Sequence, residues 1–170
     1  MGPDSGVYRV VLVLHLMAAI FGFGGLAVNG FYGALAAKRR NREGAAIGEA
    51  VDKGYKASEW PIYAVPVLGI ILVLLSEDVF GFGQAWISAS ILLYVVAIGL
   101  LHAVQLPTVR RINALLGELA EGSGAPGGGG APSQVGELDK LGAKAGVMGG
   151  ILNLIVVVIV VLMVFKPGFP

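Results

Sequence analysis

A chain of 170 residues, 56% of them apolar and only 14% charged, with a mean hydropathy of +0.81, does not have the make-up of a water-soluble domain and points to a lipid bilayer as its solvent. A formal charge of +1 excludes the strongly basic balance of a nucleic-acid binder. The lack of cysteine excludes disulfides, thiolate-bound zinc, iron–sulfur ligation and a cysteine nucleophile, and two histidines leave little for any other transition metal.

In chain order, four apolar stretches are long enough to cross ~30 Å of hydrocarbon at ~1.5 Å per helical residue. They cover about 10–37, 60–75, 85–104 and 147–165. The runs are continuous and lack the alternation of barrel strands, so helices are the expected spanning elements. An Asp4 ahead of the single Arg9, followed by an apolar run too long for a signal peptide, predicts that the first span is retained. The second span carries Pro61 and Pro66; Pro66 is expected to free a carbonyl one turn back and to kink the helix.

The basic residues are placed unevenly. Lys38, Arg39, Arg40, Arg42, Lys53 and Lys56 fall between spans one and two, and Arg110, Arg111, Lys140 and Lys144 between three and four. The loop around Glu77 and Asp78 has no base. The positive-inside rule then places both termini outside and the two long loops in the cytoplasm, with Trp60 and Trp86 at the inner and outer interfaces. The expected fold is all-α: a four-helix transmembrane bundle forming a single integral membrane domain over residues 1–170.

Beyond the third span, residues 107–121 set Val109, Ile112, Leu116 and Leu119 at helical spacing. Three readings are open: a helix lying on the inner leaflet, a helix for a partner's groove, or a cytosolic extension of the span. Residues 122–133 read GSGAPGGGGAPS and have the composition of a flexible linker. They are not a phosphate loop, because the Lys and Ser/Thr of that motif are missing.

In lipid, helices associate through close backbone approach and interhelical hydrogen bonds, so small and polar residues mark contact faces. Along the first span His15, Ala18, Gly22, Gly25, Asn29, Gly33 and Ala36 form one stripe, opposite Leu14, Phe21, Phe23, Val28 and Phe31. In the fourth, Gly146, Gly149, Gly150 and Asn153 form a shorter face, and an Asn29–Asn153 hydrogen bond is a plausible staple worth ~0.6 kcal/mol.

Ionisable groups inside a membrane are functional candidates by default; here they are His15, His102 and, at the boundary, Glu59. His15 is a candidate axial haem ligand, with Gly22, Gly24 and Gly25 leaving room for a flat macrocycle, or else a neutral histidine bonded to a neighbouring helix through Ser88, Ser90 or Tyr94. His15 and His102 differ in depth by roughly 12 Å at ~1.5 Å per residue, too far for one bis-histidine haem. His102 and Glu59 share a level and are a candidate inner-boundary pair, with two independent snorkelling side chains as the other reading. No catalytic triad, carboxylate pair, metal cluster, broken-helix pair or midplane charge is present in the sequence.

LHLMAAIFGFGGLAV, residues 14–28, resembles the opening helix of a large group of small bacterial four-span proteins. WISASILLYVVAIGL, residues 86–100, with Pro107, Arg110 and Arg111 after it, is similar to the third helix and basic exit of one uncharacterised branch of that group. Its cousins include the copper-resistance D family and the four-span protoporphyrinogen oxidases. The resemblance to the oxidases implies haem on His15; the intramembrane lysine on which that branch relies has no counterpart here. It also implies a multi-pass protein of the bacterial cytoplasmic (inner) membrane. The composition resembles Gly/Ala-rich actinobacterial proteins, whose small multi-span chains often serve as accessory subunits of lipid importers or respiratory assemblies. The expected function is therefore a non-enzymatic accessory subunit, without a cofactor, that stabilises a larger membrane complex by docking onto other integral membrane subunits. The alternative is a haem-binding redox protein using His15.

Overall fold

The structure is a computed structural model and describes residues 2–39, 42–122 and 132–168. Within them the chain forms α1 (Gly6–Arg39), α2 (Arg42–Leu74), α3 (Ala85–Leu100), α4 (Leu106–Gly122) and α5 (Pro132–Phe165), with a π-helical turn, Leu101–Gln105, joining α3 to α4. No strand occurs among the described residues. Because α3, the π turn and α4 follow without a break, the chain has four helices long and apolar enough to cross a membrane. Each has 33 to 37 residues, or about 50 Å at ~1.5 Å per residue, well beyond the ~30 Å a bilayer requires.

The extra length comes from polar segments that are helical too. Helix α2 begins at Arg42, far ahead of the expected start at residue 60, and α5 begins at Pro132 instead of 147. Along the start of α2, Ile47, Val51 and Tyr55 recur every four residues and turn inward, while Lys53 meets Glu49 at 2.8 Å and Lys56 meets Asp52 at 2.7 Å on the outside. Such i, i+4 pairs add only about 0.2–0.5 kcal/mol each, so the buried stripe decides the helix. The expected linker over 122–133 lies, apart from its helical ends, outside the described residues.

Packing divides the chain into two compact units. The first comprises Met1–Gly25, Ala57–Ile98 and Asn153–Pro170; the second comprises Leu26–Lys56 and Gly99–Leu152. In the second, Leu115, Leu116 and Leu138 are completely buried together with Ala36, Ile112 and Leu119, and Ala45, Ile47, Leu141 and Ala145 close around them. The apolar stripe of α4 is thus covered from within the chain, and α4 continues the helix of the third span. Arg111 of α4 clamps Glu137 of α5 with two donated bonds, 2.8 and 3.1 Å. These hold the Glu137 carboxyl below the usual carboxylate range.

In the first unit, Ile62, Trp86, Ile87 and Ala97 are buried among α2 and α3. The turn between these helices is organised by the fully buried Ser76, whose single O–H lies between the carbonyls of Val73 and Phe80, 2.7 and 2.9 Å from Oγ, and whose Oγ accepts the Phe80 N–H at 3.0 Å. Trp60 is 83% exposed, as an interfacial ring should be, but Trp86 is only 6% exposed. The Trp86 ring stands edge-on to Phe80 at 5.7 Å, with the Lys166 ammonium 5.8 Å above it, so it packs within the chain.

Candidate functional site

Two polar side chains converge on the proline-bearing stretch of α2. Pro66 has no N–H, so the Ile62 carbonyl, four residues earlier, has lost its helical donor. Tyr94 of α3 replaces it, donating its hydroxyl to Ile62 O at 3.0 Å. One turn along, His15 Nδ1 lies 3.0 Å from Val65 O and the ring sits against Gly69, where a Cβ would stand 3.3 Å from His15 Cε1. The histidine does bond a neighbouring helix, but to a backbone carbonyl and not to Ser88, Ser90 or Tyr94. A carbonyl only accepts, so Nδ1 carries the proton and Nε2 keeps its lone pair. Phe23 packs edge-on against Tyr94 at 6.5 Å and closes the cluster.

The small residues of α1 set how closely α2 approaches. A Cβ at Gly22 would come within 2.9 Å of Ile62 Cγ1 and 3.0 Å of the Ile62 nitrogen, and one at Gly25 would collide with the buried Ser58 Oγ. A Cβ at Gly24 would meet nothing within 4 Å. Two of the three glycines expected to admit a macrocycle are therefore filled by α2. Ala18 is half-buried. In the second unit, the buried Asn29 carboxamide lies on the Gly54 backbone, Gly33 faces Val51, and Ala36 is completely buried. Leu14, Phe21, Val28 and Phe31 on the other side of α1 are all more than half exposed, whereas Phe23 turns inward.

Helix α5 is different. No residue of its most apolar window is buried. Gly146, Gly150 and Asn153, at i, i+4 and i+7, are exposed, with Gly149 half-exposed at their border. A Cβ at Gly146, Gly149 or Gly150 would meet no described atom within 4 Å. Glu59 is half-buried in α2, and His102 is exposed in the π turn. Among the described residues no three His, Cys, Asp or Glu side chains are grouped to hold a metal ion.

The sequence reading missed the π turn, although Pro107 signals it. A proline there removes an N–H and presses its ring on the preceding turn, and the wider π spacing relieves both. The Leu106 N–H reaches back five residues to Leu101 O, and Thr108 Oγ donates to Val104 O at 2.6 Å. The turn brings Gln105 into the interior, 4% exposed, with Nε2 donating to the Tyr55 hydroxyl at 3.5 Å.

Four apolar membrane-length helices, polar side chains turned onto neighbouring helices and large apolar residues left exposed define a multi-pass integral membrane protein. Residues 9–167 match the family described as "Predicted integral membrane protein (DUF2269)", and the chain belongs to that family. No curated protein and no solved structure matches it.

Proposed function

We propose that this chain is a non-enzymatic accessory subunit of a bacterial inner-membrane complex, such as a lipid importer or a respiratory assembly, and that it docks by receiving a partner's transmembrane helix on α5. The observation that carries this reading is the face formed by Gly146, Gly150 and Asn153. Open glycines let a second backbone approach closely, and an exposed carboxamide in hydrocarbon is stabilised by a hydrogen bond to a neighbouring helix. The amphipathic segment 107–121, considered from sequence as a second docking element, is covered inside the chain and takes no part. The basic loops face the cytoplasm and both termini face outward, following the placement of Lys and Arg.

Site-specific photocrosslinking in native membranes tests this. A crosslinker at position 153 should give one adduct of fixed mass with another membrane protein, and one at the exposed Leu92 of α3 should give lipid adducts only. Lipid adducts alone at both positions contradict docking.

Haem binding on His15 has one observation in its favour: the Val65 bond leaves Nε2 as a ligand nitrogen with its ring orientation fixed, the usual support for a ligating histidine. The filling of Gly22 and Gly25 by Ile62 and Ser58 weighs against it. A reduced-minus-oxidised spectrum with a Soret band that His15→Ala abolishes would establish haem binding and overturn the cofactor-free reading.

A further inference from the structure

Gln105 is 4% exposed, and its Oε1 is buried without a hydrogen-bond partner among the described residues. An unsatisfied buried carbonyl is costly, and native interiors rarely tolerate one. Its amide nitrogen donates to Tyr55 Oη at 3.5 Å, and Tyr55 is itself 6% exposed. In that pairing the tyrosine oxygen is the acceptor, so its own proton has no acceptor in the pair. One acceptor, Gln105 Oε1, and two donors, the tyrosine O–H and the second amide N–H, are left over. If the amide is turned over, the tyrosine donates to Oε1; the remainder is then the two N–H donors of the amide and a tyrosine lone pair, again both donors and an acceptor. A metal cation would use only acceptors and an anion only donors. The one small species that answers both valences in either orientation is water.

The surroundings favour retention of that water. Val51, Tyr55 and Val109 form the local core with Leu26, Ile47 and Leu106 around them, so the pair is walled by apolar side chains; the buried Thr108 hydroxyl beside Val109 is already spent on the Val104 carbonyl. The π turn holds more residues per turn than an α turn, and Gln105 is one of its two buried residues. We infer that Gln105 and Tyr55 hold one internal water molecule at the π turn, a structural ligand that joins the Leu101–Gln105 turn to α2. A buried water of this kind bonds otherwise unsatisfied groups and is costly to remove.

Radiolytic hydroxyl labelling of the full-length protein in detergent, read by mass spectrometry, tests the inference, because radicals formed from a resident water modify the side chain beside it. Tyr8, 7% exposed and nearer the surface than Tyr55, is an internal reference of the same chemistry, and its position favours labelling from bulk water. Tyr55 should be labelled several-fold faster than Tyr8, and Gln105→Met should bring it down to the Tyr8 rate. The same variant should melt at a lower temperature than the parent, because removing Gln105 releases a bound water. Equal labelling of Tyr55 and Tyr8 in the parent overturns the inference without any substitution. A Gln105→Met protein that melts higher also overturns it, since removing a truly orphaned carbonyl stabilises.

Discussion

A methyl group at position 22 has nowhere to go, because the Ile62 backbone is already in contact with the glycine. Gly22→Ala should therefore lose about 1–3 kcal/mol to overpacking, more than the roughly 1 kcal/mol that alanine gains in helix propensity. Gly30, with nothing within 4 Å of its Cβ position, is the matched control, and Gly30→Ala should be neutral or stabilising. Unfolding in mixed micelles, followed by helicity, reads both; a Gly22→Ala protein as stable as Gly30→Ala would refute the close approach. The two polar staples on α2 are unequal for a related reason. Without His15 the Val65 carbonyl still has the helical N–H of Gly69, so His15→Leu should cost about 1 kcal/mol. Without Tyr94 the Ile62 carbonyl faces Pro66 and has no donor, so Tyr94→Phe should cost more, up to about 3 kcal/mol, and Pro66→Ala should recover part of that loss. Equal effects of Tyr94→Phe with and without Pro66 would show that the hydroxyl does not substitute for the missing N–H. The stripe on α1 was legible at this scale because small residues at helical spacing have few other uses in lipid. The partners of His15 and Tyr94 were not, because a backbone carbonyl has no letter in the sequence.

Among the elements, hydropathy located the apolar middle of every spanning helix and none of the polar extensions. Window hydropathy falls as soon as charges appear, yet the spacing of Ile47, Val51 and Tyr55 in α2 and of Leu138, Leu141 and Ala145 in α5 carried the missing signal. Pro66 is expected from sequence to free a carbonyl one turn back; α2 continues through both prolines, and the Tyr94 hydroxyl serves the Ile62 carbonyl that Pro66 releases. The joint between α4 and α5 has a pH signature of known sign. The Glu137 carboxyl is held below its ordinary 4.5 by the bonds Arg111 donates, ahead of the 147–165 span and half-exposed to water. Its contribution is therefore complete above pH 4.5 and fades as the pH falls through the lower value of the folded state. Glu137→Gln should flatten the acid side of the stability profile and leave neutral pH little changed, the pair being screened by solvent. An unchanged acid limb in the variant would mean that the clamp adds nothing to stability.

For the whole molecule, a cysteine-free chain offers a clean background for mapping sidedness. Asp78→Cys should react with an impermeant maleimide in intact cells, and Glu43→Cys only after permeabilisation; the reverse pattern would invert the topology. Membrane residence and the four-helix design could be read from composition and run length alone. The function could not, because the proposed accessory role has no reacting group to recognise, and the surface that supports the proposal is defined by what the rest of the chain leaves uncovered on α5. Native mass spectrometry of the protein extracted gently from its own membrane tests that role most directly. Docking predicts one companion membrane protein at a fixed ratio to the wild-type chain, and loss of that companion from a Gly150→Ile, Asn153→Leu variant that remains helical. A chain found only alone or with copies of itself, or a companion retained by the variant, would contradict it.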